Sequence, residues 1–455
     1  MKKLFILTCF IMGAMVVAPP KLVAQVPYSF VYSYLDSLNG DGAIHKISTT
    51  TAVASYRNAA GQWKLSLLSL TGVVNEVYLA DDVQQVMDIK DAGGYVFFCG
   101  QKGGKGFVGN VLLSDMQTPN PIVNYVTPND DVADYFHALV AYRASAGEKV
   151  VAVGRKTWTD SPTYGTCDYF PPYMCVRRPV AEIDFIAGNV NNFKLWTTDD
   201  TARVECAEEV IETPSYVAIV CYYTDMSAIS IHRCDKNDVY GTFSDYYYYV
   251  AQDEGHSFVQ GCYMYGEVIG LSSRSTYIDA TGQEQFTTKI RVIDLASTSM
   301  TNLYAQHMPL YAKTDPYELV YVPNGQHLVL LQEAVDPATL VPHCYFTNIY
   351  YTTPAAYVTK CWYEACQKMR YTSADMLTSD HLIASGGDQF LLQNATALVS
   401  PNNSYTVDNR QILPLATEPL IFDTYTYTPP FTSCSVDPQP SNVSLATLPQ
   451  LCPLP

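Results

Sequence analysis

Short runs of β-branched and aromatic residues, each closed by Gly, Asp, Asn or Pro, recur along the whole chain. The stretch over residues 84–116 shows the pattern most clearly: QVMDI, a turn at Asp91-Ala92-Gly93-Gly94, YVFFCG, a glycine-rich turn from Gly100 to Gly106, then FVGNVLL. Such runs favour extended backbone, and only the turn residues tolerate the angles that reverse it, so the stretch predicts a three-stranded meander. A sheet this small cannot bury both faces alone and needs neighbours of its own kind.

The same three-strand pattern is readable in residues 44–70, 84–116, 135–185, 202–234, 257–295, 315–362 and 373–399. The third and sixth copies carry long insertions before their last strand, which in the sixth is AAYVTKCW. Candidate fourth strands lie between copies at 74–80, 121–128, 193–200 and 302–309. The middle strands begin near Tyr95, Lys149, Tyr216, Glu267, His327 and His381, at intervals of roughly 50 to 67 residues. They are nearly continuous apolar runs, as expected of strands covered on both faces by neighbouring sheets.

On these residues the chain resembles the β-propeller class, and the segment VYVPNGQHLVLL (residues 320–331) is similar to repeat cores of many propellers. The resemblance implies an all-β fold, a seven-bladed β-propeller of four-stranded antiparallel blades, over residues 25–428. It does not reach a named family: the G-H…W-D pairs of WD repeats and the Ser-x-Asp-x-Gly-x-Thr-Trp box of sialidase-like blades are both missing from the sequence. Ring closure requires an outer strand for the last unit, from residues 28–36 or from 419–428. Residues 429–455, rich in Pro and Ser, read as an irregular C-terminal strap.

Residues 1–24 have the form of a cleaved signal peptide: a basic start, an apolar run from Leu4 to Val17 and small residues near Ala24. The run is shorter than a bilayer requires, so no membrane insertion is expected after cleavage. The expected location is outside the cytoplasm: periplasmic, outer-surface or secreted. Of the 455 residues 44 are acidic and 27 basic, for a net charge of −17. That balance argues against nucleic acid as a partner.

Thirteen cysteines, one of them in the leader, suit an oxidising compartment. Cys206 and Cys221 are equidistant from the turn at Thr213-Pro214, so a hairpin there would set them opposite each other. Cys167 with Cys175, Cys361 with Cys366, and Cys434 with Cys452 are the next local pairs. Their spacing fits no zinc motif, so no metal is expected, and no motif calls for a cofactor.

The insertion at residues 156–178 gathers Trp158, Tyr164, Tyr169, Tyr173, Arg177 and Arg178, a set of flat faces and charges suited to a sugar or a protein chain. The alternative is a lid packed on its own blade. Aspartates between units, among them Asp130, Asp131, Asp134 and Asp253, accompany His137, Glu254 and His256, and read as turn punctuation. His232 reads as a packing residue. No nucleophile elbow, phosphate loop or metalloprotease motif occurs. The expected function is therefore an exported, non-catalytic propeller binding protein or glycan at the bacterial cell envelope. The alternative is a propeller enzyme acting on polysaccharide, hydrolase or lyase, with carboxylates from several blades converging at the central channel.

Overall fold

The computed structural model describes residues 29–33, 37–38, 42–69, 72–118, 121–128, 133–158, 175–177, 179–197, 205–223, 228–243, 245–250, 255–278, 284–297, 299–306, 313–335, 342–349, 359–362, 372–386, 389–394, 405–408, 421–424, 434–440 and 443–444. These are almost entirely antiparallel strands, joined mostly in sequence order.

The first sheet holds Ile44–Lys46, Thr51–Asn58, Trp63–Ser69 and Gly72–Tyr78, and the second Val83–Ala92, Tyr95–Lys102, Lys105–Leu112 and Ile122–Pro128. Next come Tyr135–Ala144, Gly147–Trp158, Pro179–Ile186 and Asn189–Thr197, then Glu205–Glu212, Tyr216–Tyr223, Ala228–Asp235 and Asp245–Val250. Gly255–Tyr265, Val268–Ile278, Glu284–Asp294 and Ser299–Gln306 follow, and after them Lys313–Val322, His327–Val335 and Pro342–Ile349. The last sheet joins Ser373–Met376, His381–Gly386 and Gln389–Asn394 to Ser29–Ser33 from the start of the chain.

Each sheet's first strand lies against the first strand of the next, and Ser373–Met376 lies against Ile44–Lys46. The circuit is closed, which gives the molecule its propeller-like architecture. Apolar side chains fill the wedges between sheets. Val96 and Phe98 pack with Val53, Leu65 and Leu67 of the first sheet. Phe97 and Cys99, one residue out of phase, pack with Phe136, Val150 and Phe185 of the third. A strand whose alternate residues face two different neighbours has no wet side, which is why these runs are apolar throughout.

Two expectations change. The third strand of the sixth unit is Pro342–Ile349, paired with His327–Val335 from Val335↔Pro342 onward. Thr359–Trp362, assigned to that place from the sequence, pairs instead with Tyr405–Asp408. The shorter connection wins because PHCYFTNI is itself a well-formed strand sequence.

The Cys206–Cys221 pairing is also overturned. The hairpin turns over residues 213–216 with Glu212 facing Val217, one residue later than a turn centred on Thr213-Pro214. The bulge between Ala207 and Glu209 makes up only half of the offset, so Ala207 faces Cys221 while Cys206 faces Tyr222. Successive residues point to opposite faces of a sheet, and Cys221 stays a buried thiol. Cys167, Cys366 and Cys452 lie outside the described residues, and for Cys175, Cys361 and Cys434 only the strands are described.

Of the two candidates for the outer strand of the last sheet, Ser29–Ser33 takes the place. Ile421–Thr424 pairs with Asp245–Val250 in the fourth sheet, and Cys434–Pro440 extends the second sheet beyond Ile122–Pro128. Among the described residues no helix is long and apolar enough to cross a membrane.

Candidate functional site

Five of the first strands, which line the centre, are irregular in their pairing with the strand behind. Register shifts interrupt their pairing at Val86/Asp88, Phe136/Ala138, Ala207/Glu209, Ser257/Gln260 and Pro316/Glu318. A bulge adds one residue to a strand and re-aims a side chain. At or beside the corresponding position each inner strand carries a polar group: His45, Asp88, His137, Glu209, Gln260, Glu318 and Asp375.

Three of the carboxylates among them, Asp88, Glu209 and Asp375, are held by backbone. Asp88 Oδ1 accepts the N–H of Ile89 at 2.7 Å and the Nζ of Lys90 at 2.9 Å, while its Oδ2 accepts the N–H of Leu139 on the next inner strand at 2.9 Å. Asp375 repeats the arrangement with Met376 N–H at 2.6 Å and Lys46 N–H at 2.9 Å. Glu209 takes Val210 N–H at 2.9 Å and a backbone hydrogen bond from Gly261 of the following strand. His137 reaches the carbonyl oxygen of Glu208 with Nε2 at 3.0 Å.

These groups act on one another's charge. Lys90 keeps 35% of its side chain accessible but is surrounded by protein, so burial works against its ammonium; Asp88, Glu318 and Asp375 outweigh that and hold it charged. Glu209 is pushed up to about 8, first by burial and then by the charge of Asp88, with the backbone N–H of Val210 and the Lys90 ammonium pulling the other way. Burial likewise drives Glu318 well above the carboxylate range; Lys90 opposes this, and Glu209, Asp88 and Asp375 add to it. Asp375 ends at about 2, because hydrogen bonding and charge from His45 overcome its burial.

At neutral pH the centre therefore holds a protonated Glu209, an ionised Asp375 and the Lys90 ammonium within electrostatic reach of one another, with Glu318 driven in the same direction as Glu209. Carboxyls driven to opposite ends of the scale in one site are the arrangement that general acid–base chemistry needs. No group of three or more metal-ligating side chains occurs among the described residues.

The residues proposed from the 156–178 insertion are placed only at its base. Trp158 and Arg177 belong to a short ladder in which Lys156 faces Arg177 and Trp158 faces Cys175. Tyr164, Tyr169, Tyr173 and Arg178 lie outside the described residues, as do Asp130, Asp131, Asp253 and Glu254. Asp134 is engaged by Lys156 Nζ at 2.9 Å and by the backbone and hydroxyl of Thr157, a bracing contact. His232 is buried, stacked on Phe243 with ring centroids 4.2 Å apart, as its packing role required.

The inner-strand carboxylates escaped the sequence reading because Asp88, Glu209, Glu318 and Asp375 are spread over nearly the whole chain. A signal existed: MDI, EEV, YEL and ADM each put an acid before an apolar residue at about the same place in the repeat.

No protein-family profile matches the sequence, and no curated protein sequence does. Among solved structures, the WD40 domain of SCAP from fission yeast is similar at 8% identity and a TM-score of 0.33, over 80% of this chain and 96% of that one. A polysaccharide lyase, the PL25 ulvan lyase, is similar at 6% identity and TM-score 0.33, over 86% and 87%. An apocarotenoid oxygenase from Synechocystis is similar at 10% identity and TM-score 0.32, over 90% and 97%.

Proposed function

We propose that the chain is an exported seven-bladed β-propeller whose central ring of polar side chains performs acid–base chemistry on a polysaccharide. The closed circuit of first strands supports the blade count, and the leader-like residues 1–24 support export. The observation that carries the reaction class is the convergence of Asp88, Glu209, Glu318 and Asp375 from well-separated sheets around Lys90, with Glu209 held protonated up to about pH 8.

In this reading Glu209 donates its proton to the departing sugar oxygen as the glycosidic bond breaks, and water bonds to the anomeric carbon and gives up the proton that restores Glu209 through solvent. Glu318, which burial drives toward its protonated form, donates a hydrogen bond to the substrate. Lys90, oriented by Asp88, offsets negative charge on a sugar acid or on the departing group.

A second reading keeps the protein non-catalytic, a binder of protein or glycan at the cell envelope. Its support is the aromatic composition of the 156–178 insertion, whose base is the ladder in which Lys156 faces Arg177.

The deciding experiment incubates the purified chain with neutral and uronic-acid polysaccharides and follows reducing ends and unsaturated sugar products. Turnover that falls at least roughly 100-fold in Glu209→Gln is expected for the loss of a general acid. Undiminished turnover in that variant would sink the assignment. No turnover by the wild type, with retention on glycans that depends on Trp158, would leave the binding reading.

A further inference from the structure

The seam where the last sheet meets the first is bridged by one imidazole. His45, on the inner strand of the first sheet, directs Nε2 to Asp91 Oδ1 at 2.9 Å and Nδ1 to Asp375 Oδ2 at 2.9 Å. Asp91 belongs to the second sheet and Asp375 to the last, so a single ring touches three consecutive sheets. Around it the backbone N–H of Ile44 donates to the Ser373 hydroxyl at 3.1 Å and that of Lys46 to Asp375 at 2.9 Å.

A neutral imidazole has one N–H and one lone pair, whereas a carboxylate only accepts. With carboxylate oxygens against both nitrogens, the neutral ring would set a lone pair against an anion at one end. The doubly protonated ring satisfies both.

We propose that His45 is a proton-operated clamp on this seam: as the imidazolium it ties Asp91 and Asp375 together, and loss of one proton releases one carboxylate and loosens the joint. Burial alone would discharge the ring and the Lys90 ammonium also works against it, but the hydrogen bonds to Asp375 and Asp91, with the charge of Asp375, prevail and raise its pKa above the ordinary 6.5. The titratable and charged groups facing it are Asp375 from the last sheet and Asp91 and Lys90 from the second. A group whose folded pKa is raised lends stability that is complete below its unfolded pKa and fades as pH climbs through the folded one. The clamp is therefore closed in mildly acidic solution and opens as the pH rises through the raised pKa of His45. It does not depend on the reaction proposed above.

The test uses the full chain, wild type against His45→Gln, in urea unfolding at a series of pH values from about 6 to about 9, the window in which a raised imidazole titrates. Glu209 titrates in the same window in both proteins, so the difference between the two curves isolates His45. The expected result is a wild-type advantage at the acid end that shrinks toward the alkaline end. Parallel curves overturn the clamp. Histidine-labelled nuclear magnetic resonance gives a second reading that needs no variant at position 45: one imidazole should keep both nitrogens protonated above pH 6.5, and its titration should move down in Asp91→Asn. If no histidine behaves so, the proposal fails even where His45→Gln does not fold.

Discussion

Asp88 and Leu139 sit on neighbouring inner strands, and the carboxylate of the first accepts the backbone N–H of the second at 2.9 Å. Asp375 holds Lys46 in the same way across the seam. These contacts staple neighbouring sheets at the centre of the ring. Asp88→Ala would leave the Leu139 N–H and the Lys90 ammonium without their acceptor. The expected loss is about 2 kcal/mol, the range for a hydrogen bond to a charged group, read as a lower urea midpoint with an unchanged slope. Asp88→Asn keeps an acceptor for one N–H and should lose less.

Farther out, Lys149 and Glu182 form a buried ion pair on adjacent strands of the third sheet. The pair is well satisfied: Lys149 Nζ also donates to the carbonyl oxygen of Asn237 at 3.1 Å, and Glu182 Oε2 accepts the N–H of Tyr240 at 3.0 Å. Both extra partners come from the connection between Ala228–Asp235 and Asp245–Val250 of the fourth sheet, so the pair ties the third sheet to the fourth. Removing Glu182 leaves Lys149 one carboxylate, that of Asp184 at 3.4 Å, and Glu182→Ala should cost up to about 3 kcal/mol. A double replacement, Lys149→Met with Glu182→Leu, should recover much of that loss. Chemical denaturation of the three variants checks it, and equal losses in single and double variants would show that the Asn237 and Tyr240 contacts matter more than the pair.

Much of this architecture is legible in the chain because it depends on local patterns. The turn at Gly93-Gly94 falls where the DAGG sequence places it, with both glycines at positive φ, and the apolar run YVFFCG becomes a strand buried on both sides. What the chain conceals is non-local. The bulge beside Glu209 cannot be seen in ECAEEVIE, yet it re-aims a carboxylate, and the particular turn residues that keep Cys206 from Cys221 are no more visible. Ring closure called for residues 28–36 or 419–428 at the last sheet, and only the long-range pairing of Ser29–Ser33 with Gln389–Asn394 chooses between them.

Gly94, just before the middle strand of the second sheet, and Gly100, inside it, separate backbone strain from crowding. Gly94 is at φ +87° with open space around the missing Cβ, whereas a Cβ on Gly100 would collide with the backbone carbonyl of Gln85 on the inner strand. Gly94→Ala should cost about 1 kcal/mol, the penalty of a left-handed conformation. Gly100→Ala must push the inner strand away from its neighbour and should cost about 3 kcal/mol, the upper range for overpacking. Thermal melts of both variants check the order, and a reversal would mean that the inner strand yields easily.

Glu209 and Asp375 make the stability of the ring depend on pH in opposite senses. The folded pKa of Glu209, about 8, lies above the ordinary 4.5, so folding favours its protonated form. Stability from this group is complete below pH 4.5 and is lost as pH rises through about 8. Asp375, lowered from 3.8 to about 2, contributes above pH 3.8 and loses its contribution as pH falls through about 2. Glu209→Gln, neutral at every pH, should therefore gain on the wild type as the solution is made alkaline. Asp375→Asn should lose least relative to the wild type in strong acid, where the wild-type carboxylate is itself protonated. Urea midpoints across the pH range read both effects. If Glu209→Gln tracked the wild type in parallel, its carboxyl would be no more buried than an ordinary surface acid, and the reaction assigned to it would lose its proton donor.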